Sequence, residues 1–146
     1  MRQKVVVFSQ IDPIILDKLK AKYEVSYIDP KLGEVNAQIL EAVKDADAMI
    51  GAGRLLNEKN LKSATRLKII SSVSVGYDNY DVNYLNAQQI WLSNTPHVLT
   101  ETTADLAFSL LMAAARQVAH LDAWTKQGHW SRTAGAAQFG QDVFGK

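Results

Sequence analysis

The chain has no cysteine, and only three prolines and three histidines. The absence of cysteine excludes disulfides, thiol catalysis and thiolate-bound metal, and it fits a reducing cytoplasm. His97, His120 and His129 show no metal-ligand spacing such as HExxH, so no metal is expected. An excess of one charge is also missing: 16 basic and 15 acidic residues leave a net charge of +1. With no polybasic block and no aromatic-basic stripe, nucleic acid is not an expected partner. Long apolar runs are absent. The longest unbroken one, Leu110 to Ala115, is far short of a membrane span, and the run Val5 to Phe8 is too short for a signal peptide.

What remains is an ordinary globular composition, 47% hydrophobic over 146 residues. That length suits one domain, or one domain with an arm. It buries about two-thirds of its unfolded surface without staples. Lys4 to Phe8 reads as a buried central strand. Asp12 caps the next helix with Pro13 at its first position, and Ile14, Ile15, Leu19 and Tyr23 recur at helical spacing. Glu24 to Ile28 is a second strand, and Val35, Ile39, Leu40 and Val43 mark a second helix. Ala48 to Ile50 is a third strand, ending at Gly51-Ala52-Gly53. Leu56, Leu61 and Leu67 frame a short helix. Leu67 to Ile70 is a fourth strand, Asp81 caps a helix through Gln89, and Ile90 to Leu92 is a fifth. Strands alternating with helices at this spacing predict an α/β fold: a flavodoxin-like, doubly wound, parallel five-stranded sheet over residues 1–98.

Beyond Pro96 a single long helix is expected from about Thr102 to about Thr125, with Thr102 and Asp105 as a capping box. It is apolar on nearly every side, from Leu106 and Phe108 through Leu110, Leu111 and Met112 to Val118 and Leu121. Such a helix needs cover all round, from a second domain or a second subunit. Gln127 to Lys146 has no periodicity and reads as a loop or arm.

The most informative stretch is Ser71 to Asp81, SSVSVGYDNYD. A strand that ends in small residues and a glycine leaves main-chain N–H groups open, and such groups form anion-binding concavities. In open α/β sheets ligands sit outside the carboxyl ends of strands. Two readings stand at this point. In one, the amides of Val75 and Gly76 hold a small carboxylate. In the other, the commoner outcome for turn glycines, Gly76 only supplies positive φ.

With SVGYDNYDV, NTPHVLTETTADLAFSLLMAAAR, KQGHW and FGQDVFGK in view, the whole chain resembles the D-isomer-specific 2-hydroxyacid dehydrogenases. Within them it is most similar to the glyoxylate/hydroxypyruvate/2-ketogluconate reductases. The resemblance implies a substrate domain over 1–98, then at 99–146 the dimerisation helix, an arm and the start of a Rossmann domain for NADP or NAD. It implies that Val75 and Gly76 bind the substrate carboxylate and that Thr103 lies beside the nicotinamide. It also implies that the loop Ala52 to Arg54 borders the substrate pocket and that the 102–125 helix pairs in a homodimer. The family's catalytic arginine, glutamate and histidine, and its GxGxxG fingerprint, are expected beyond Lys146. These 146 residues alone are therefore expected to be inactive, as the first part of an enzyme that reduces small 2-oxo acids.

Other features carry less. Glu101 and Asp105 read as helix-start acids rather than a catalytic pair. Arg54 reads as a solvated loop arginine, with steering of an anion as the functional alternative. Ser71, Ser72 and Ser74 lack a GxSxG elbow, and Trp124 and Trp130 suggest docking in the arm. The rival to an enzyme fragment is a stand-alone flavodoxin-like ligand-binding or dimerisation module. A phospho-receiver is disfavoured, because Ser9-Gln10 and Gly51-Ala52-Gly53 stand where its acidic residues belong.

Overall fold

A computed structural model describes residues 2–131 and 133–145. The chain divides into two compact units, Met1–His97 and Val98–Lys146. In the first unit, β1 (Lys4–Val7), β2 (Glu24–Tyr27), β3 (Ala48–Gly51), β4 (Ile69–Ser72) and β5 (Trp91–Ser93) form one sheet. The order is β2-β1-β3-β4-β5 and every pairing is parallel. This is the flavodoxin-like order expected from the alternation of elements.

The topology dictates which face each helix covers. The chain steps one way from β1 to β2 and the other way from β2 through β5. Right-handed crossovers therefore put α1 (Pro13–Lys22) on one face, and α2 (Val35–Ala42), α3 (Glu58–Leu61) and α4 (Val82–Ala87) on the other. The second face holds the core, where Val6, Met49 and Ile70 pack with Ile39, Val43, Leu61 and Leu85. The caps follow the sequence. The Asp12 carboxylate accepts from the Ile14 N–H at 2.7 Å, with Pro13 opening the helix, and Asp81 accepts from the Tyr84 N–H at 3.0 Å.

The face of α1 is only partly covered. One helix cannot shield five strands, so Ile69 is 38% exposed and Trp91 77%. On α1 itself Ile14 and Ile15 are exposed and no residue is buried, against the apolar face that their spacing predicted. Strand ends also shift. β4 runs on through Ser71 and Ser72, while Leu67 turns back to bond Ala64. Ile90 closes the turn onto Leu85, so β5 begins at Trp91.

The second unit departs from the expected single helix. It contains α5 (Thr100–Ala115) and α6 (Val118–Lys126), separated by Gln117 in the left-handed conformation at φ 54°. The helix also starts earlier than Thr102, with Leu99 at its cap and no side-chain cap bond, so the capping box does not form. The break is made by contacts from the arm. The freed Ala115 carbonyl accepts from the Gln141 N–H at 2.7 Å, and the Gln117 side-chain amide donates to the Ala137 carbonyl at 3.1 Å. Gly140 sits so close that a Cβ there would lie 2.3 Å from the Ala115 oxygen, at φ 65°. Of the arm, residues 127–131 and 133–145 are otherwise irregular with one 3-10 turn, Ala136–Gln138; Arg132 and Lys146 lie outside the described residues. No residue of α5 is buried, and Leu106, Phe108, Leu110 and Leu111 are all exposed. No helix among the described residues is long and apolar enough to cross a membrane.

Two tests follow from this packing. Gly140→Ala meets both a backbone oxygen and a disfavoured φ, so it should cost more than about 1 kcal/mol and strip the Gln141 amide of protection in hydrogen exchange. An unchanged melting temperature with retained protection would contradict the docking of the arm. At the amino edge of the sheet, the Lys4 N–H and then the Arg66 guanidinium, both bonded to Asp47, hold its carboxyl below the usual range. A depressed folded pKa gives stability that is present above the unfolded value and lost as pH falls through the folded one. Asp47→Asn should therefore flatten the loss of stability below about pH 4, read by urea unfolding at several pH values; an unchanged acid limb would refute it.

Candidate functional site

All five strands end at one edge of the sheet, and the loop Val73 to Asp81 emerges there from β4. Its conformation is set by its carbonyl groups. The Ser74 carbonyl accepts from the Thr95 N–H at 3.1 Å, and the Val75 carbonyl from the Asn94 side-chain amide at 2.8 Å. The Gly76 carbonyl accepts from the Ser74 hydroxyl at 2.8 Å, and the Tyr77 carbonyl from the Tyr80 N–H at 3.0 Å. Ser74 has one proton, which goes to Gly76, so in its 2.7 Å contact with Ser72 the Ser72 hydroxyl is the donor. Ser72 is 3% exposed and anchors this chain of hydroxyls in the interior.

The N–H side of the loop is different. Among the described residues, neither the Val75 nor the Gly76 N–H has a hydrogen-bond partner, and neither belongs to a ladder. Both residues are exposed. Gly76 does not have positive φ, so the reading in which it serves only as a turn glycine fails. Nor does packing demand a glycine: an added Cβ would meet only an Asp78 carboxylate oxygen, at an ordinary 3.7 Å.

The loop after β3 is lashed to this one. The Asn79 side-chain amide donates to the Arg54 carbonyl at 2.6 Å, and the Tyr80 hydroxyl to the Gly51 carbonyl at 3.2 Å. Leu56 and Tyr80 form a parallel bridge. Ala52, Gly53 and Arg54 line a cleft of about 540 Å³ with Ser9, Gln10 and Lys31. Arg54 and Lys31 are its cations, and among the described residues neither forms an ion pair. A second groove of about 840 Å³ runs beside Tyr77, Asn86, Trp91 and Asn94. Val75 and Gly76 line neither, and both are exposed on the first unit.

Val75 and Gly76 are thus brought together as adjacent outward donors. Thr103 stands in the other unit, exposed in the first turn of α5, its N–H bonded to the Leu99 carbonyl at 2.9 Å. His97 ends the first unit in a left-handed conformation at φ 66°; His120 is exposed on α6, and His129 lies 6.2 Å from the Trp124 ring. Sequence reasoning missed Asn94 and Asn79. The available signal was an asparagine directly after β5 and another in the β4 loop, but their partners lie 19 and 25 residues away.

A family model described as the catalytic domain of D-isomer specific 2-hydroxyacid dehydrogenases matches residues 5–139. The chain belongs to that family. A glyoxylate/hydroxypyruvate reductase B of Serratia proteamaculans is 36% identical over the full chain, which spans 45% of that relative. One from Salmonella typhimurium is 35% identical, with the same coverage. A protein from Thermus thermophilus superposes with a TM-score of 0.79 at 31% identity, over 97% of this chain and 46% of its own. An NADPH-dependent glyoxylate/hydroxypyruvate reductase of Sinorhizobium meliloti, solved with NADP and malonate, gives 0.76 at 28% identity, over 100% and 44%. The chain therefore spans about half the length of these proteins.

Proposed function

We propose that this chain is the substrate-holding part of an NADP- or NAD-dependent reductase of small 2-oxo acids, such as glyoxylate or hydroxypyruvate. The observation that carries the reading is the pair of exposed, unpartnered amides at Val75 and Gly76 in a loop whose carbonyls from Ser74 to Tyr77 are all engaged. A carboxylate accepts from two such donors in short, charge-assisted bonds, each worth about 1.5–3 kcal/mol. A glycine that neither its φ nor its neighbours require leaves room for a ligand to approach the backbone closely. Arg54 at the adjoining cleft adds a positive charge that favours an approaching anion.

The reduction itself is hydride transfer from the nicotinamide to the 2-oxo carbon. This chain's residues do not supply a pyrophosphate-binding turn: it contains no glycine triad that follows a strand and opens a helix. Its part is therefore to fix the carboxylate, and with it the orientation of the neighbouring carbonyl. Orientation of this kind lowers a barrier by several kcal/mol when the rest of the machinery is in place. The reading places Thr103 near the cofactor in the full-length protein.

The exposed apolar surface of α5 favours a second copy of the same chain as its cover, so the functional unit we propose is a homodimer. The pairing runs through α5 and α6 rather than through the one unbroken helix expected over 102–125.

Titrating the labelled chain with oxalate tests the site. The largest amide shifts should fall on Val75 and Gly76, and Gly76→Ala should weaken binding at least tenfold while leaving the melting temperature unchanged or slightly raised. Shifts confined to other loops would sink the site. The chain alone should not oxidise NADPH in the presence of glyoxylate; turnover would overturn its role as a holding part. Sedimentation equilibrium reads the pairing: a mass near twice the 16.1 kDa of the chain is expected, and a monomer at micromolar concentration would refute it.

A further inference from the structure

We infer that Asn94 is the positioning residue of the anion loop, and that the Asn94–Thr95 segment after β5 aims both amides. The inference rests on the carboxylate reading above and adds what makes that site competent. A peptide group is planar and trans, so its carbonyl and its N–H point in opposite directions. The Val75 carbonyl and the Gly76 N–H belong to one peptide group. Asn94 donates to that carbonyl at 2.8 Å and so turns the Gly76 N–H away from itself. The Ser74 carbonyl and the Val75 N–H belong to the preceding group, and the Thr95 N–H holds that carbonyl at 3.1 Å.

Two neighbouring peptides are thus gripped on their oxygen sides by two neighbouring residues. In an extended strand successive N–H groups alternate in direction. Here both carbonyls face the same segment, so both N–H groups face away from it, on one side of the loop. Two donors on one side can serve a single carboxylate. Thr95 acts through its main chain, but Asn94 acts through a half-buried side chain that mutation can remove. The Asn94 amide has no other bonded partner among the described residues, so its orientation is unambiguous: only its nitrogen can meet a carbonyl oxygen.

The test uses the whole chain, with oxalate as probe. In the wild type, a scalar coupling across the hydrogen bond should link the Asn94 side-chain nitrogen to the Val75 carbonyl carbon. Asn94→Ala and Asn94→Leu, which introduce no charge, should each raise the oxalate dissociation constant at least fivefold. They should also displace or double the Gly76 amide resonance, with Ile70 and Met49 unmoved. A merely structural asparagine would lower the melting temperature without that local change. Wild-type affinity with an unchanged Gly76 resonance in both variants would overturn the inference. If the wild type does not bind oxalate at this loop, the carboxylate reading fails, and the coupling and the Gly76 resonance still decide the role of Asn94. If neither variant folds, the wild-type coupling decides alone: its presence supports the inference and its absence refutes it.

Discussion

Holding a carbonyl oxygen in place fixes the direction of the N–H on the same peptide, because the amide plane does not rotate. At the rim of this sheet that constraint governs which side of the loop its main-chain N–H groups face, and on the proposed reading that side is the binding surface. From Ser74 to Tyr77 each carbonyl is satisfied by a donor from the unit itself: a main chain, an asparagine, a serine, a main chain again. What the loop offers outward is therefore nitrogen. Exposed N–H groups cost little while water solvates them, and they become valuable when an anion replaces that water. The buried Ser72 hydroxyl and the β5 exit hold the oxygen side of this loop.

The rest of the first unit keeps this rim rigid. Parallel strands bring five carboxyl ends to one edge, and the order β2-β1-β3-β4-β5 puts the β4 loop between the exits of β3 and β5. Both neighbours are used. The β3 loop is tied through Asn79 and Tyr80, and the β5 exit through Asn94 and Thr95. The same topology leaves the α1 face thinly covered, with Ile69 and Trp91 exposed.

The alternation of strands and helices was legible because each element carries its signal locally: a β-branched run at Val5 to Val7, Asp12 before Pro13, Asp81 before a helix. Carboxylate capping and continuous burial need no distant partner to be read. The break between α5 and α6 was not legible. Gln117 adopts a left-handed conformation without glycine or proline beside it; the Gln141 N–H, more than twenty residues on, takes the Ala115 carbonyl, at an approach that Gly140 leaves room for. The exposure of Ile14 and Ile15 was hidden for a similar reason: helical spacing shows which residues share a face, not what stands opposite. At the site, the loop was found from its small residues and glycine. The cause of its polarity was not, since nothing local to Asn94 shows which carbonyl its side chain meets. Its bond to Val75 exists because β4 and β5 are neighbours in space.

Amide hydrogen exchange of the free chain, resolved by residue, addresses the outward pair of donors most directly. Val75 and Gly76 should exchange at close to the rate of an unstructured peptide, while Ile70 in β4 and the Thr95 amide that holds Ser74 exchange far more slowly. Protection of Val75 and Gly76 comparable to that of Ile70 would mean that their N–H groups are bonded inside the fold, and no carboxylate site would remain.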